Sequence, residues 1–294
     1  MVYIDDSIMQ KGKPAAAGSK MLENFIAPFD ATVVTRLNED TQRIALGEFG
    51  LEAPGELPGA PLLCNDVFGH VRIQTAKQGL CYIRPAYGTV SRYGLVPAAA
   101  SMDQIGVVCK DPVEGFSLLS AIAGHDEKDG AMFPEKRYTY NKTGQTPKIS
   151  RAAPAYGDVY AQVTAILAYA EISNNISRYD GVKFGYRAPD CKGLESLYTK
   201  TRTEAFGLEA KLAAVMGCLL LSQDNYTKYY KKALKIRRVI KKSLRFDEHD
   251  VIVLPPESHL AVLCGLPSLT FGGVQLAANV KNEGALLAAW EGFQ

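Results

Sequence analysis

Strand-like and helical segments alternate along this chain, and that alternation narrows the folds open to it. VYIDDSI (2–8), VRIQ (71–74), LCYIRP (80–85), VIVLP (251–255) and PSLTFG (267–272) read as short strands. Asp30 reads as the N-cap of a helix reaching about residue 44, with Val34, Leu37 and Ile44 on one side. Residues 47–61, with three prolines and four glycines, read as a loop. Asp111-Pro112 is a strong helix start, a cap followed by proline at the first helical position, and that helix should stop at Gly124. Residues 131–153 show no apolar period and read as an irregular connection. Helices are expected over about 155–176, 193–204, 207–222 and 226–245, and a last one from about Asn282 to Trp290. Strands separated by helices imply an α/β fold with a mixed sheet, here taken as a single domain over 1–294.

Composition removes several function classes. Of 294 residues, 47% are apolar and 22% charged, ordinary values for a globular chain with a large core. The net charge of +2 gives no global pull towards nucleic acid or membrane. Six cysteines (64, 81, 109, 191, 218 and 264) are scattered without a CxxC pair, as in a reducing cytosol. MVYIDDSIMQ has two acids where a signal peptide needs basic charge, and LAAVMGCLLL (212–221) is too short to span a bilayer. A soluble, cytoplasmic protein is expected.

The segment 228–245 carries nine Lys and Arg and no acid. Lys231, Lys235, Arg238, Lys242 and Arg245 fall on one helical face, which is either a phosphate contact for a tRNA or a solvated face with Tyr230, Ala233, Leu234 and Ile240 packed inward. Histidines 70, 125, 249 and 259 have no metal-site spacing, His125 and His249 reading as surface or turn residues. No phosphate loop or GxGxxG follows a strand. No cofactor and no metal are expected, which leaves serine chemistry, where a weak nucleophile needs a positioned base.

Residues 87–129, YGTVSRYGLVPAAASMDQIGVVCKDPVEGFSLLSAIAGHDEKD, resemble the amidase signature family, and within it the A-type subunits of aspartyl/glutamyl-tRNA amidotransferases. KMLENFIAPFDATVVTRL (20–37), AYAEISNNISRYDGVKFGYRA (168–188), LYTKTRTEAFGLEAK (197–211), YTKYYKKALKIRRVIK (226–241), GLPSLTF and GVQLAANV continue the likeness over nearly the whole chain. The resemblance implies an amidase-signature mixed sheet flanked by helices on both faces (α/β/α), minimised and without the family's N-terminal helices, with Tyr87–Asp111 packed on the sheet. It also implies amide hydrolysis by a Ser–cis-Ser–Lys triad, with ammonia passed to a B-type subunit.

The triad does not map onto this chain. YIDDSI aligns with the family's AIKDNI and puts Asp5, followed by Asp6, at the lysine position. GELPGAP (55–61) stands where the cis-serine loop belongs and holds no serine. CNDVFGHVRIQ (64–74) aligns with GSDTGGSIRQP: Asp66, Gly69 and Arg72 match, Phe68 replaces a glycine, and His70 takes the nucleophile position. Leu212 and Ala213 stand where the resemblance expects arginine, and the stretch from Pro256 to Leu263 is too short for the family's acidic loop. A carboxylate has the wrong charge and reach to relay a proton between two serines. The expectation is a pseudoenzyme that binds, scaffolds or regulates, in contact with amidotransferase B- or C-type subunits or with itself. The alternative is an amidohydrolase or amidotransferase of altered mechanism, using His70 with Asp66 or Cys64. Arg178, Tyr179, Asp180 and Arg187 form a candidate recognition segment, the competing reading being core aromatics around a tight Asp180-Gly181 turn.

Overall fold

The computed structural model describes residues 1–37, 39–59, 61–151 and 154–293. Nine strands form one mixed sheet: β1 (Val2–Asp5), β2 (Thr41–Ile44), β3 (Leu62–Asn65), β4 (Cys81–Arg84), β5 (Ile105–Cys109), β6 (Ile149–Ser150), β7 (Val251–Leu254), β8 (Ser268–Phe271) and β9 (Val274–Ala278). Their order is β2-β1-β3-β5-β4-β8-β9-β7-β6. β1 runs parallel to both its neighbours, the middle of the sheet is antiparallel, and β6 pairs parallel with β7.

The helices are α1 (Thr32–Arg36), α2 (His70–Lys77), α3 (Pro112–Ile122), α4 (Tyr160–Ile176), α5 (Gly193–Ala205), α6 (Leu208–Leu221), the single turn α7 (Gln223–Asn225), α8 (Lys231–Ser243), α9 (Leu260–Cys264) and α10 (Gly284–Glu291), with a π-helical turn at Tyr226–Tyr230. Alternate residues of each strand face opposite layers. Leu63, Ile83, Ile105, Val107 and Leu276 face a core shared with α3 and α10. On the other face Leu62, Cys64, Tyr82 and Val108 pack under Val71 of α2. Ile252, Leu254 and Ala277 pack under α4, α8 and α9. The α/β/α arrangement implied by the sequence is present.

Three local expectations are corrected. The helix expected to run from Asp30 to about residue 44 is only α1, capped by Ala31 rather than Asp30 and ended by extended backbone at Leu37, ψ 132°. Its second half, Thr41–Ile44, is the edge strand β2, paired residue for residue with Val2–Asp5. VRIQ lies in helix α2, because Asp66 accepts the backbone N–H groups of Val71 and Arg72 and so caps the first turn. Leu234, expected to point inward from α8, is 40% exposed, while Ala233 and Ile240 make the inward contacts. By contrast Asp111 caps α3 as its sequence implies, its carboxylate accepting Val113 N–H at 2.9 Å.

Candidate functional site

β1 ends at Asp5, whose carboxylate is buried. It accepts Leu46 N–H at 3.2 Å and Ser7 N–H at 3.4 Å, and it accepts the Ser7 hydroxyl in a short hydrogen bond. Burial dominates and pushes the Asp5 pKa up to about 7, with the neighbouring Asp6 charge adding to the rise. Asp6 turns away to accept Gly18 N–H at 3.0 Å, and partial burial raises its pKa as well.

His70 is the first residue of α2. Gly69 precedes it with φ +88°, in the left-handed region that glycine tolerates. The turn is closed from behind by an ion pair between Arg72 and Asp66 at 3.0 Å, both side chains almost wholly out of solvent. The same guanidinium donates to the carbonyls of Pro256 and Ser258, each at 2.9 Å. Asp66 therefore has both oxygens engaged by Val71, Arg72 backbone and Arg72 side chain. Its bonds serve the turn and leave none directed at His70. Cys64 sits in the apolar layer under α2, and burial pushes its thiol well above the usual range, away from the thiolate. Neither partner named for His70 by the sequence is engaged with it.

The His70 side chain instead divides two spaces. Behind it lies a cavity of about 20 Å³, room for about one water, whose wall includes Asp5, Ser7, Asn65 and Val71. In front lies an open cleft of about 670 Å³ walled by Phe68, Tyr169, Leu208, Glu52, Glu209 and His259. A second cleft, of about 660 Å³, shares the wall residues Ala161 and His259 with it. Phe68 lies 6.2 Å from His70 and 5.8 Å from Tyr169, ring centre to ring centre, and furnishes an aromatic wall. Burial lowers the His259 pKa to about 4, helped by the charge of Arg72, and holds its ring neutral near pH 7.

Sequence reasoning did not find Ser7, His259 or the cleft residues Glu52, Tyr169, Leu208 and Glu209. Ser7 carried a weak signal, two places beyond Asp5 at a strand end. His259 carried none, because the Pro255–Ser258 turn and the Arg72 bonds bring it to the cleft. α6 brings Leu208 and Glu209 to the cleft, whereas Leu212 faces solvent and Ala213 faces α4, so no guanidinium arrives from that helix. Among the described residues, no group of three or more His, Cys, Asp or Glu side chains is placed to hold a metal ion, and no helix is long and apolar enough to cross a membrane.

The other candidates lie outside the cleft walls. Tyr179 is a core anchor, stacked on Phe49 at 5.8 Å and edge-on to Phe184 at 6.1 Å. Asp180 accepts Val182 N–H at 2.8 Å, and Gly181 has φ +70°, which makes the tight turn. Arg178 is exposed and folds back on Asn175; Arg187 is exposed. Lys231, Lys235, Arg238 and Lys242 are all exposed on α8.

A family model described as amidase matches residues 62–165 and 149–282. The A-type subunit of the glutamyl-tRNA(Gln) amidotransferase of Lachnoclostridium phytofermentans is 33% identical across 86% of this chain and 66% of its own. The chain thus spans just under two thirds of that relative's length. Among solved structures, one described as part of a vestigial protein complex bearing on the origins of an s-triazine catabolic enzyme superposes with TM-score 0.75 at 15% identity, covering 98% of this chain and 82% of that one. The corresponding A-type amidotransferase subunit of Thermotoga maritima gives 0.64 at 23% identity, with 98% and 81% covered. At these identities the two structures speak for the fold.

Proposed function

The chain belongs to the amidase family, and on that premise we propose that it is a member without amidase catalysis, acting by binding in its cleft and by association with amidotransferase-type subunits. One observation carries the reading. Where Asp5 and His70 meet, the cavity between them is lined by two acids, a serine and an imidazole but no lysine, and has room for a water rather than an amide. A serine attacks an amide only when a base takes its proton and the carbonyl reaches it at bonding distance. Ser7 has a carboxylate acceptor, but it is itself buried behind His70. The open, aromatic-walled cleft in front of His70 keeps the volume of a small-molecule site.

The relatives are named as subunits, which supports association as the setting in which such a chain acts. The test is ammonia release from glutamine and asparagine by the purified protein, alone and with amidotransferase B- and C-type subunits. No release above a His70→Ala control is expected. Sustained release would overturn the proposal, and Ser7→Ala, Asp5→Asn and His70→Ala would then locate the new catalyst.

A further inference from the structure

The charge of this chain is unevenly placed. Residues 228–245 hold nine Lys and Arg and no acid, while the rest of the chain holds 24 Lys and Arg against all 31 Asp and Glu. One strongly positive segment therefore sits on a body of net negative charge. The fold holds that segment firmly. Ala233 and Ile240 of α8 are buried, and Arg237 donates to the Ser101 hydroxyl at 3.2 Å and to the Ser101 carbonyl at 3.1 Å. Glu171, on that inner side, accepts the Ser101 N–H at 2.8 Å and the Ser101 hydroxyl at 2.5 Å. Arg245 is taken up by Asp247 and Glu248.

A straight row of cations remains on the outside. Lys231, Lys235, Arg238 and Lys242 recur at i, i+4, i+7 and i+11, opposite Ala233 and Ile240, and exposed Lys232 and Lys241 flank them. Among the described residues, none of these six enters an ion pair. Like charges three and four places apart on a helix repel one another, a standing cost that a bound polyanion removes.

We propose that this row binds the phosphodiester backbone of duplex RNA. Lysines at such positions are point charges that neutralise phosphates and carry no code for bases. The row spans about 16 Å, or about 5.5 Å per step, closer to the spacing of successive phosphates along an A-form strand than to the wider spacing of a B-form strand. A bilayer fits less well. Leu234 and Val239, 40 and 49% exposed, fall on opposite sides of the row, and the apolar face of α8 is already used inward. A protein partner fits less well too, because interface cores are depleted in lysine and anchored by aromatic residues that the row lacks. None of the six cations lines either cleft, so the site stands apart from whatever the clefts bind.

Fluorescence anisotropy of a labelled RNA duplex, titrated with the full chain at several salt concentrations, tests this. Four phosphate contacts imply a log–log salt slope of about −4, so affinity should fall about a hundredfold between 50 and 200 mM salt. Lys231→Ala, Lys235→Ala, Arg238→Ala and Lys242→Ala combined should lower affinity at low salt by at least about a hundredfold and flatten the slope, with an unchanged circular dichroism spectrum. Lys13→Ala, Lys77→Ala, Lys136→Ala and Lys192→Ala combined remove the same charge at exposed positions elsewhere, and should change affinity by no more than about twofold. Equal losses from the two sets would reduce the effect to net charge and overturn the proposal. So would absence of RNA binding at low salt, equal affinity for duplex DNA of the same sequence, or sedimentation with anionic phospholipid vesicles in place of RNA binding.

Discussion

The guanidinium of Arg72 occupies the space where a side chain on Gly69 would begin: a Cβ there would lie 2.5 Å from its carbon. The glycine and the arginine are therefore one device. Gly69 supplies the φ of +88° that turns the chain into α2, and its bare α-carbon lets Arg72 close on Asp66. Gly69→Ala should cost about 2 kcal/mol or more, from left-handed backbone strain and displacement of a buried ion. Thermal or urea unfolding measures it, and a loss below a few tenths would show that the turn relaxes freely.

Breaking the ion pair from the other side should cost more. Arg72→Met leaves the Asp66 carboxylate buried with one cation removed and frees the carbonyls of Pro256 and Ser258. A loss of about 3–5 kcal/mol is expected. Hydrogen exchange should quicken over 255–260, where the turn loses its anchor. Unchanged exchange there would separate the ion pair from the placement of His259.

Stability should respond to pH through two opposed groups. Asp5 has its pKa raised from 3.8 to about 7 in the fold, so the folded state binds its proton more readily than the unfolded chain. Its contribution is full below about pH 4 and is lost as pH rises through 7. His259 is lowered from 6.5 to about 4, so its contribution is full above pH 6.5 and is lost as pH falls through 4. The slopes of these two groups oppose each other over nearly the same window, while the raised carboxyls of Asp6, Glu48, Asp103 and Glu283 act in the same direction as Asp5. Relative to the wild type, Asp5→Asn should tilt the profile towards stability rising with pH, and His259→Gln should tilt it towards stability falling with pH. Urea midpoints between pH 4 and 8 decide it; two variants with the same slope would refute the assignment.

His70→Ser alone should restore no hydrolysis. The new hydroxyl would stand on the first turn of α2, while the neighbouring acceptor, Asp5, already holds Ser7. Ammonia release by this variant above the His70→Ala level would show that the cavity can marshal a base after all.

If the segment around Arg178 recognises a partner, the two exposed arginines must carry that role, since Tyr179 belongs to the core. Arg178→Ala with Arg187→Ala should leave the melting temperature within about a degree, surface changes being nearly neutral. The same double variant should lose capture of amidotransferase-type subunits. Full capture by it would leave the segment as structure.

Legibility followed the range of the interactions. The start of α3 could be read because Asp111 and Pro112 act on their own helix. α2 could not, because four residues with two β-branched members look extended until Asp66, several places earlier, takes their N–H groups. β2 was hidden because Val34, Leu37 and Ile44 keep helical spacing, while the pairing that makes Thr41–Ile44 a strand comes from the first residues of the chain. At the site, Asp5, Asp66, His70 and Arg72 were found as aligned positions. Their bonding was not legible: Asp66 engages the helix and Arg72, and Asp5 engages Ser7. The overall sheet was legible through the family resemblance rather than through local pattern.

The sheet order also sets when this protein can fold. β4, near its middle, is covered on one edge by β5 and on the other by β8, with Arg84 opposite Ser268. A nascent chain therefore carries an open strand edge through the synthesis of α3 to α9, until residues 268–271 emerge. Pairings of such long sequence separation fold slowly, and an unpaired edge is a template for wrong partners. Chains stopped before residue 268 should therefore aggregate more readily than the full chain, which solubility of ribosome-released truncations would measure.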